Sequence, residues 1–467
     1  MNKRLLIFII PFILILIGIF NTTKPLPEGI DYKSENYNVQ NITFLYDLTY
    51  NKNTEHDQEI FDTILTQIDK AENYILIDMF LFNSNMGNAN STFRKLSSEL
   101  TNKLISKKIN QPDIKIDFIT DEINTVYGGS KSREIELLKE HDINIIITNL
   151  KPLRDSNPVY STLWRTFIQW FGNSEDGGII QHPFSKDDKV SIRSYLRLLN
   201  FKANHRKVFV ADTTSIISSA NPHDGSSAHS NVAFMITGDL WKGIYETESN
   251  IVSMSDSYLQ NISRESITGN QKAQILTEKQ IKRELLEQLD STEEGDKISI
   301  AMFYLSDRNI VKSILKASKR GVDIRIILDP NKDAFGYEKN GIPNRQVASE
   351  LVKKSKNKIK IRWYDTAGEQ FHAKMIVIEK KNGEVIIILG SANLTRRNID
   401  NYNLELNVKV TTDITSDINK DITRYFNMIW YNDNNNTYTV DYSQYQDDSM
   451  IKKLIYRFQE FTGFCTF

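Results

Sequence analysis

The chain has 467 residues, a net charge of −1, one cysteine, 40% apolar and 25% charged residues. This length exceeds one ordinary core, so we expect at least two domains, and the composition is that of a folded globular protein. The chain lacks the basic excess of a dedicated nucleic-acid binder, and the single Cys465 excludes an internal disulfide or a multi-cysteine metal site. Because the seven histidines show no HxH or HExxH spacing, we expect no metal and no cofactor.

The N-terminus predicts a membrane anchor. Lys3 and Arg4 precede an apolar run over residues 5–20, near the short end of the ~17–25 residues that span a bilayer. A cleaved signal peptide is the alternative, although no small-residue cleavage site follows Phe20. We expect an uncleaved, single-pass transmembrane helix in the cell membrane, with the remaining chain extracytoplasmic. Residues 1–40 would form this anchor and a proline-containing tether.

Residues 41–265 predict alternating helices and strands. Ile60, Ile64, Leu65 and Ile68 mark one face of a helix, and residues 92–107 form another. Apolar runs at 74–82, 114–120 and 143–148 predict buried strands. The alternation indicates an α/β fold with largely parallel strands.

The second half of the chain, residues 266–467, repeats these elements. Residues 281–289 repeat the helical spacing, and residues 298–305 and 322–328 repeat the first two strands. Residues 371–393 repeat residues 204–221. Two further helices are predicted at 417–431 and 449–461, on either side of an Asn-rich break. The sequence therefore predicts two equivalent α/β domains in one chain.

Residues 151–200 have no counterpart in the second half and predict an insertion. Trp164, Phe167, Trp170 and Phe171 could share one helical face. The expected role of this aromatic stripe is packing against the protein body. A lid or a membrane-contact element is the alternative, since tryptophan suits the lipid interface.

One ordered set of polar residues occurs twice. A histidine and a lysine stand two apart on an apolar strand, so both side chains leave the same face. An acidic residue and a small-residue turn ending in asparagine follow. The two copies are His205, Lys207, Asp212, Ser219 and Asn221, and His372, Lys374, Glu379, Ser391 and Asn393.

These residue types suit phosphodiester chemistry. Lysines neutralise the phosphate charge, and asparagine amides donate hydrogen bonds to its oxygens. Imidazole is a competent nucleophile near neutral pH, and a second imidazole can act as general acid and base. The acidic residues lie an odd number of positions from their histidines, so we expect Asp212 and Glu379 to stabilise the fold.

The pattern HxKxxxx(D/E) followed by (G/S)SxN, present twice, resembles the phospholipase D superfamily. Residues 328–336 and 365–375 look most like bacterial cardiolipin synthase-like proteins. The resemblance implies two tandem α/β/α sandwich domains related by a pseudo-twofold axis, with a monomeric site formed within one chain. It also implies a phosphohistidine on His205 and protonation of the leaving alcohol by His372. The two histidine roles could be exchanged.

The two halves depart from strict equivalence. Glu405, 12 residues after Asn393, looks like the family carboxylate that orients a histidine, whereas the position 12 after Asn221 is Ala233. Asp224 or His229 could substitute. Glu379 stands where the family usually has aspartate, and Ser218 stands where the second turn has Gly390.

We therefore expect a membrane-anchored phospholipase D-type phosphodiesterase or phosphatidyltransferase. Its partner would be a glycerophospholipid substrate, with transfer to an alcohol, as in cardiolipin synthesis, or to water. A nuclease of the same superfamily is the first alternative, disfavoured by the missing basic excess. An inactive binding protein is the second, and Ala233 is its best support.

Overall fold

The computed structural model describes residues 3–86, 93–182, 189–200, 202–262 and 265–464, so Cys465 and Thr92 lie outside the described residues. The helices of the first half are α1 Lys3–Thr23, α2 Ile60–Lys70, α3 Leu96–Asn110, α4 Arg133–Glu140, α5 Pro158–Leu163, α6 Ile192–Leu198 and α7 Leu240–Met254. Its strands are β1 Tyr37–Tyr50, β2 Glu55–Gln58, β3 Tyr74–Met79, β4 Lys115–Thr120, β5 Asn144–Ile147, β6 Ile180–Gln181, β7 Lys189–Val190, β8 Lys207–Ala211, β9 Thr214–Ser218 and β10 Asn231–Gly238.

The second half has the helices α8 Glu278–Asp290, α9 Arg308–Lys319, α10 Asn344–Lys354, α11 Arg396–Ile399, α12 Asp417–Tyr431 and α13 Met450–Thr462. Its strands are β11 Gln271–Thr277, β12 Lys297–Met302, β13 Asp323–Leu328, β14 Asp333–Ala334, β15 Tyr337–Glu338, β16 Lys360–Tyr364, β17 Lys374–Glu379, β18 Glu384–Gly390, β19 Leu406–Asp413 and β20 Thr439–Asp441. The predicted mixed α/β class is confirmed, and the main predicted helices and strands form within a few residues of their expected bounds.

One large sheet contains both halves in mirrored order. From the middle outward, the first half contributes β1-β10-β9-β8-β3-β4-β5 and the second contributes β11-β19-β18-β17-β12-β13-β16, with β20 at the edge. β1 and β11 pair with each other and join the halves. The predicted domain boundaries, 41–265 and 266–467, stay predictions.

The prediction of largely parallel strands is wrong. Parallel pairing is confined to β3-β4-β5 and β12-β13-β16, and the other strands of this sheet are antiparallel. The reason is the hairpin that follows each HxK strand, because a short turn can join only antiparallel neighbours. In the first hairpin Asp212 takes the left-handed conformation, with φ of 51°, between β8 and β9.

The three largest apolar cores among the described residues lie against the sheet. A central core contains strand residues from both halves together with α7 and α12. A second core lies between the first half and α2, α3 and α4, and a third lies between the second half and α8, α9 and α10. The alternation of side chains along each strand therefore buries both faces of the sheet.

The predicted N-terminal transmembrane helix is wrong: in the described part of the chain, no helix combines the length and hydropathy needed to cross a bilayer. Within α1 the described apolar side chains run from Phe8 to Phe20, before a polar end at 21–23. α1 lies against α5, where Thr162 donates from Oγ1 to the Leu14 carbonyl at 2.9 Å. The predicted single-pass topology and extracytoplasmic placement depended on this spanning helix, so they lose their basis.

The 151–200 insertion contains α5, a π-helical turn over Trp164–Ile168, and α6. Trp164 is buried, and the guanidinium of Arg193 lies 5.5 Å from its ring centre. Phe167, Trp170 and Phe171 are instead exposed. The expected packing of the aromatic stripe is therefore right for one residue and wrong for three.

Candidate active site

The two repeated strands begin where the halves of the chain touch. The His205 amide donates to the Leu404 carbonyl of the second half at 2.8 Å. The His372 amide donates in the same way to the Ser230 carbonyl of the first half, also at 2.8 Å. These crossed backbone contacts bring both histidines to one buried site.

The His205 imidazole is held by a carboxylate from the opposite half. Its Nδ1 lies 2.9 Å from Oε1 of Glu405, whose side chain is fully buried. Ser391 Oγ and Asn398 Nδ2 donate to that carboxylate. The Glu405 backbone amide donates to Glu278 at 3.0 Å. The carboxylate is thereby fixed by partners on three sides.

The His372 imidazole is held by an amide from the first half. Its Nδ1 lies 3.2 Å from Oδ1 of Asn231. Ser219 Oγ also lies 3.2 Å from that oxygen, as Ser391 Oγ contacts the carboxylate on the other side. The Asn231 amide nitrogen donates to the His229 carbonyl at 3.0 Å and to Asp47 at 3.3 Å. Because the nitrogen donates, the Asn231 oxygen is the atom that faces His372.

Asn231 corrects the expected equivalence of Glu405 with Ala233. The backbone amide of Ser219 bonds to Val232, as that of Ser391 bonds to Leu406, so Asn231 occupies the position of Glu405. Asn231 follows Asn221 by 10 residues, whereas Glu405 follows Asn393 by 12. Counting 12 residues from Asn221 therefore leads two residues too far, to Ala233. Ala233 lies inside β10 and packs in an outer core.

Neither proposed substitute at Ala233 bonds to His372. Asp224 accepts from the amide and hydroxyl of Ser97 at the start of α3. His229 has its ring centre 5.7 Å from that of His372, and Gln370 donates its backbone amide to His229 Nδ1 at 3.3 Å. The buried His229 Nε2 has no hydrogen-bond partner among the described residues.

The two lysines have matching surroundings. Each ammonium donates to the carbonyl of the histidine two residues earlier, at 2.7 Å for Lys207 and 2.8 Å for Lys374. Each also lies over an aromatic ring that contacts the histidine of its own half, Phe80 for Lys207 at 5.1 Å and Phe303 for Lys374 at 5.3 Å. The predicted His–Lys faces therefore recur as two near-identical clusters.

The asparagines of the two turns differ in their bonding. The Asn221 oxygen accepts the Leu81 amide at 3.3 Å. The buried Asn393 oxygen has no partner among the residues described. Both turns place these side chains beside the strands that carry the histidines.

The two acidic residues at the far ends of the strands serve the fold. The Asp212 carboxylate accepts the backbone amides of Glu72, Asn73 and Tyr74 at 2.6–3.2 Å. Glu379 lies 3.8 Å from Lys297 across the β12–β17 pair.

The site concentrates positive charge in a buried space. Burial lowers the pKa of Lys207 to about 7, and burial together with repulsion from Lys207 holds the pKa of Lys374 well below its usual value. Burial lowers the pKa of His205 to about 4, against the opposing effect of Glu405. Burial and then Lys374 hold the pKa of His372 well below 6.5. Because a nearby anion favours the charged forms of these buried bases, the cluster is suited to binding an anion.

A buried ion network supports the strand that carries His205. Arg206 donates to Glu248 at 3.0 Å and to Glu278 at 2.9 Å, and all three side chains are fully buried. Glu278 also accepts the backbone amide of Glu405. The sequence did not predict this network. Alternation along the strand places Arg206 on the face opposite His205 and Lys207, but it does not show that Glu248 and Glu278, far away in the chain, lie beside it.

Comparison with known proteins finds one family match, which covers part of the second half of the chain. Residues 285–430 match the family description "Cardiolipin synthase, PLD-like domain". This match confirms the resemblance to the phospholipase D superfamily. No curated protein matches the chain.

Three solved structures resemble the chain at low sequence identity. Phosphatidylserine synthase of Haemophilus influenzae Rd KW20 has a TM-score of 0.58 and 12% identity, covering 96% of this chain and 98% of its own. Polyphosphate kinase of Porphyromonas gingivalis has a TM-score of 0.45 and 12% identity, covering 89% and 52%. The phospholipase D family member Nuc of Salmonella typhimurium has a TM-score of 0.27 and 18% identity, covering 36% and 97%. The similarity to the first of these concerns the fold.

Proposed function

The chain contains a phospholipase D-like domain, and on that premise we propose that it is a phosphodiesterase or phosphatidyltransferase acting on glycerophospholipids. The observation that carries the proposal is the crossed pair of buried imidazoles, each on an HxK strand and each bonded to the opposite half. A phosphodiester repels nucleophiles through its negative charge. Two buried ammonium groups beside two imidazoles counter that charge and supply the reacting nitrogens.

We assign the nucleophile to His205. Because Glu405 accepts from Nδ1, the proton of the neutral ring lies on Nδ1 and Nε2 keeps its lone pair. That lone pair attacks phosphorus, so a nitrogen–phosphorus bond forms as the bond to the leaving alcohol oxygen breaks. The carboxylate stabilises the positive charge that the phosphorylated ring acquires.

We assign proton transfer to His372. The Asn231 oxygen also fixes its Nδ1 proton, so Nε2 carries a proton only in the imidazolium form. The negative charge of the bound phosphodiester opposes the lowering of the His372 pKa, so His372 takes up a proton with the substrate and then gives it to the departing alkoxide. Neutral His372 then takes a proton from water or an acceptor alcohol, whose oxygen attacks phosphorus and releases His205. An amide stabilises imidazolium less than a carboxylate does, so His372 is the better proton donor.

The remaining site residues would bind the phosphate group. Lys207 and Lys374 would pair with its non-bridging oxygens, and the amide groups of Asn221 and Asn393 would donate to them. Ser219 and Ser391 would position Asn231 and Glu405 through the hydrogen bonds described above. Asp212 and Glu379 have no part in the reaction.

The test is turnover by the full chain in detergent micelles without added metal. Labelled phosphatidylglycerol, phosphatidylcholine and single-stranded DNA are compared, with and without glycerol as acceptor. We expect lipid products and no DNA cleavage. His205→Ala and His372→Ala should each lose lipid turnover. Cleavage of DNA with untouched lipid would support the nuclease alternative, and activity surviving both substitutions would contradict the site.

A further inference from the structure

The exposed apolar side chains of the protein are strongly localised. Outside α1, the 151–200 insertion and residues 450–464, only six large apolar side chains are exposed among the described residues. We define the apolar platform as two of these exposed sets: Phe167, Trp170 and Phe171 of the insertion, and Ile451, Leu454, Phe458 and Phe461 of α13. Such a concentration marks an interaction surface.

The α13 part of the platform is held with its apolar face outward. Leu454 is 67% exposed and Phe461 is 81% exposed. On the opposite face, Tyr456 donates from its hydroxyl to the Ser306 carbonyl at 2.9 Å. Glu460 accepts the Ser306 hydroxyl at 2.7 Å. These buried contacts fix the orientation of the helix, so its apolar face is not free to turn inward.

The insertion part is fixed in the same way and joins α13. Trp170 is 75% exposed, six residues after the buried Trp164. Arg165 pairs with the buried Asp155 at 2.8 Å and anchors the π-helical turn. Asn157 donates from its side chain to the Thr462 carbonyl at 2.9 Å, which connects the base of α5 to the end of α13. The two apolar sets are therefore neighbours on one side of the protein.

We propose that the apolar platform docks the protein onto the surface of an anionic lipid bilayer. The charge around the platform fits this partner. Residues 150–171 and α13 together contain six basic residues. Three of them pair with carboxylates: Arg165 with Asp155, Lys452 with Asp447 and Arg457 with Glu350. Lys151, Arg154 and Lys453 have no acidic partner among the described residues and leave a local positive charge beside the platform. Exposed aromatic residues flanked by basic ones are suited to lying in the headgroup region without spanning it.

The platform lies near the proposed active site. Ser306, which holds α13, donates its backbone amide at 2.8 Å to the carbonyl of Leu394, next to Asn393. On the insertion side, Lys202 pairs with Asp155 at 2.8 Å, three residues before His205. Docking would therefore bring the strand ends that carry Asn393 and His205 towards the membrane surface. This last step rests on the proposed function, whereas lipid binding itself does not.

The test is flotation of the full chain with vesicles of phosphatidylglycerol and phosphatidylcholine, compared with phosphatidylcholine alone. We expect binding to the anionic vesicles that falls as salt is raised. The variant Trp170→Ser/Phe171→Ser and the variant Leu454→Ser/Phe458→Ser should each lower the bound-to-free ratio at least about tenfold. The matched control Ile109→Ser/Tyr258→Ser changes two exposed apolar residues elsewhere and should bind as the unchanged chain does.

Three controls keep the outcome decisive. Thermal unfolding confirms that each variant is folded, and turnover of a short-chain, monomerically dispersed phospholipid should be unchanged in the platform variants. Failure of that turnover in every protein, with flotation as expected, would overturn the proposed function and leave the docking surface intact. Platform variants that float like the unchanged chain would overturn the proposal. The proposal would also be overturned if the unchanged chain does not bind vesicles and light scattering shows that it forms a dimer that the platform variants do not form.

Discussion

His205 and His372 lie on strands that repeat each other, each two residues before a buried lysine and each against an aromatic ring. The atom opposite Nδ1 differs: a carboxylate oxygen of Glu405 for His205 and an amide oxygen of Asn231 for His372. Both partners fix the same tautomer, but only the carboxylate adds a negative charge. The comparison teaches that duplicated halves can keep one geometry while a single side chain gives the two histidines different electrostatic surroundings, and in the proposed mechanism this difference divides the reaction between them.

The largest expected effect separates the two histidines by leaving group. His205→Ala removes the nucleophile and should abolish turnover of every substrate. His372→Ala removes the general acid of the first step and the base of the second. For the first step we expect a loss of about 10²- to 10⁴-fold with an alkyl leaving group and a much smaller loss with p-nitrophenyl phosphodiesters. Single-turnover rates of leaving-group release with both substrates check this. Equal losses with both leaving groups in His372→Ala would contradict the division of roles.

The next effect comes from the partner of His205. Glu405→Gln removes the negative charge that stabilises the phosphorylated ring, so kcat should fall roughly 10- to 100-fold, the size usual when a group orienting a functional histidine is lost. Single-turnover kinetics measure this fall. Ser391→Ala, which leaves the carboxylate in place, should cost less. A Glu405→Gln rate equal to that of the unchanged chain would show that the carboxylate is not used.

Asn231→Asp would make the two halves alike. The added negative charge should raise the pKa of His372, and the general acid would then keep its proton to higher pH. The alkaline limb of the kcat profile should therefore move to higher pH. The control Asn382→Asp, in an exposed turn where the side chain only accepts a backbone hydrogen bond, should leave the profile unchanged. A shift to lower pH, or none, would contradict the assigned role.

The smallest expected effect concerns the protonation of the buried lysines. With the pKa of Lys207 lowered to about 7 by burial, most of this lysine is neutral at pH 8 in the empty site. A bound anion raises that pKa, so inorganic phosphate should bind with uptake of protons. Calorimetry in buffers of different ionisation enthalpy measures the uptake, and Lys207→Arg should reduce it. Binding without proton uptake at pH 8 would mean that the lysines are already charged.

The repeat made most of the site predictable. Periodicity located the strands, and recurrence of His, Lys, Ser and Asn in order identified both halves of the site before any contact was known. Glu405 was predictable from the resemblance to the family carboxylate, since the repeat offered no acidic counterpart for it. These features depend on local spacing, which a single sequence records directly.

The features that sequence reasoning missed depend on distances across the chain. Asn231 was hidden because the connection after Asn221 is two residues shorter than its counterpart, so counting led to Ala233. The exposure of Phe167 and Trp170 was missed because a π-helical turn changes the angular spacing on which the predicted stripe relied. Strand direction was missed because a short hairpin and a helical crossover leave similar apolar runs.

The most direct test of the central claim is to trap the phosphorylated enzyme. His372→Ala is mixed with a p-nitrophenyl phosphodiester carrying a labelled phosphorus, quenched in alkali because phosphohistidine is acid-labile, and mapped by mass spectrometry. The account predicts label on the peptide containing His205, and none after His205→Ala. Label on the peptide containing His372 in the unchanged chain, with His205 unlabelled, would contradict it.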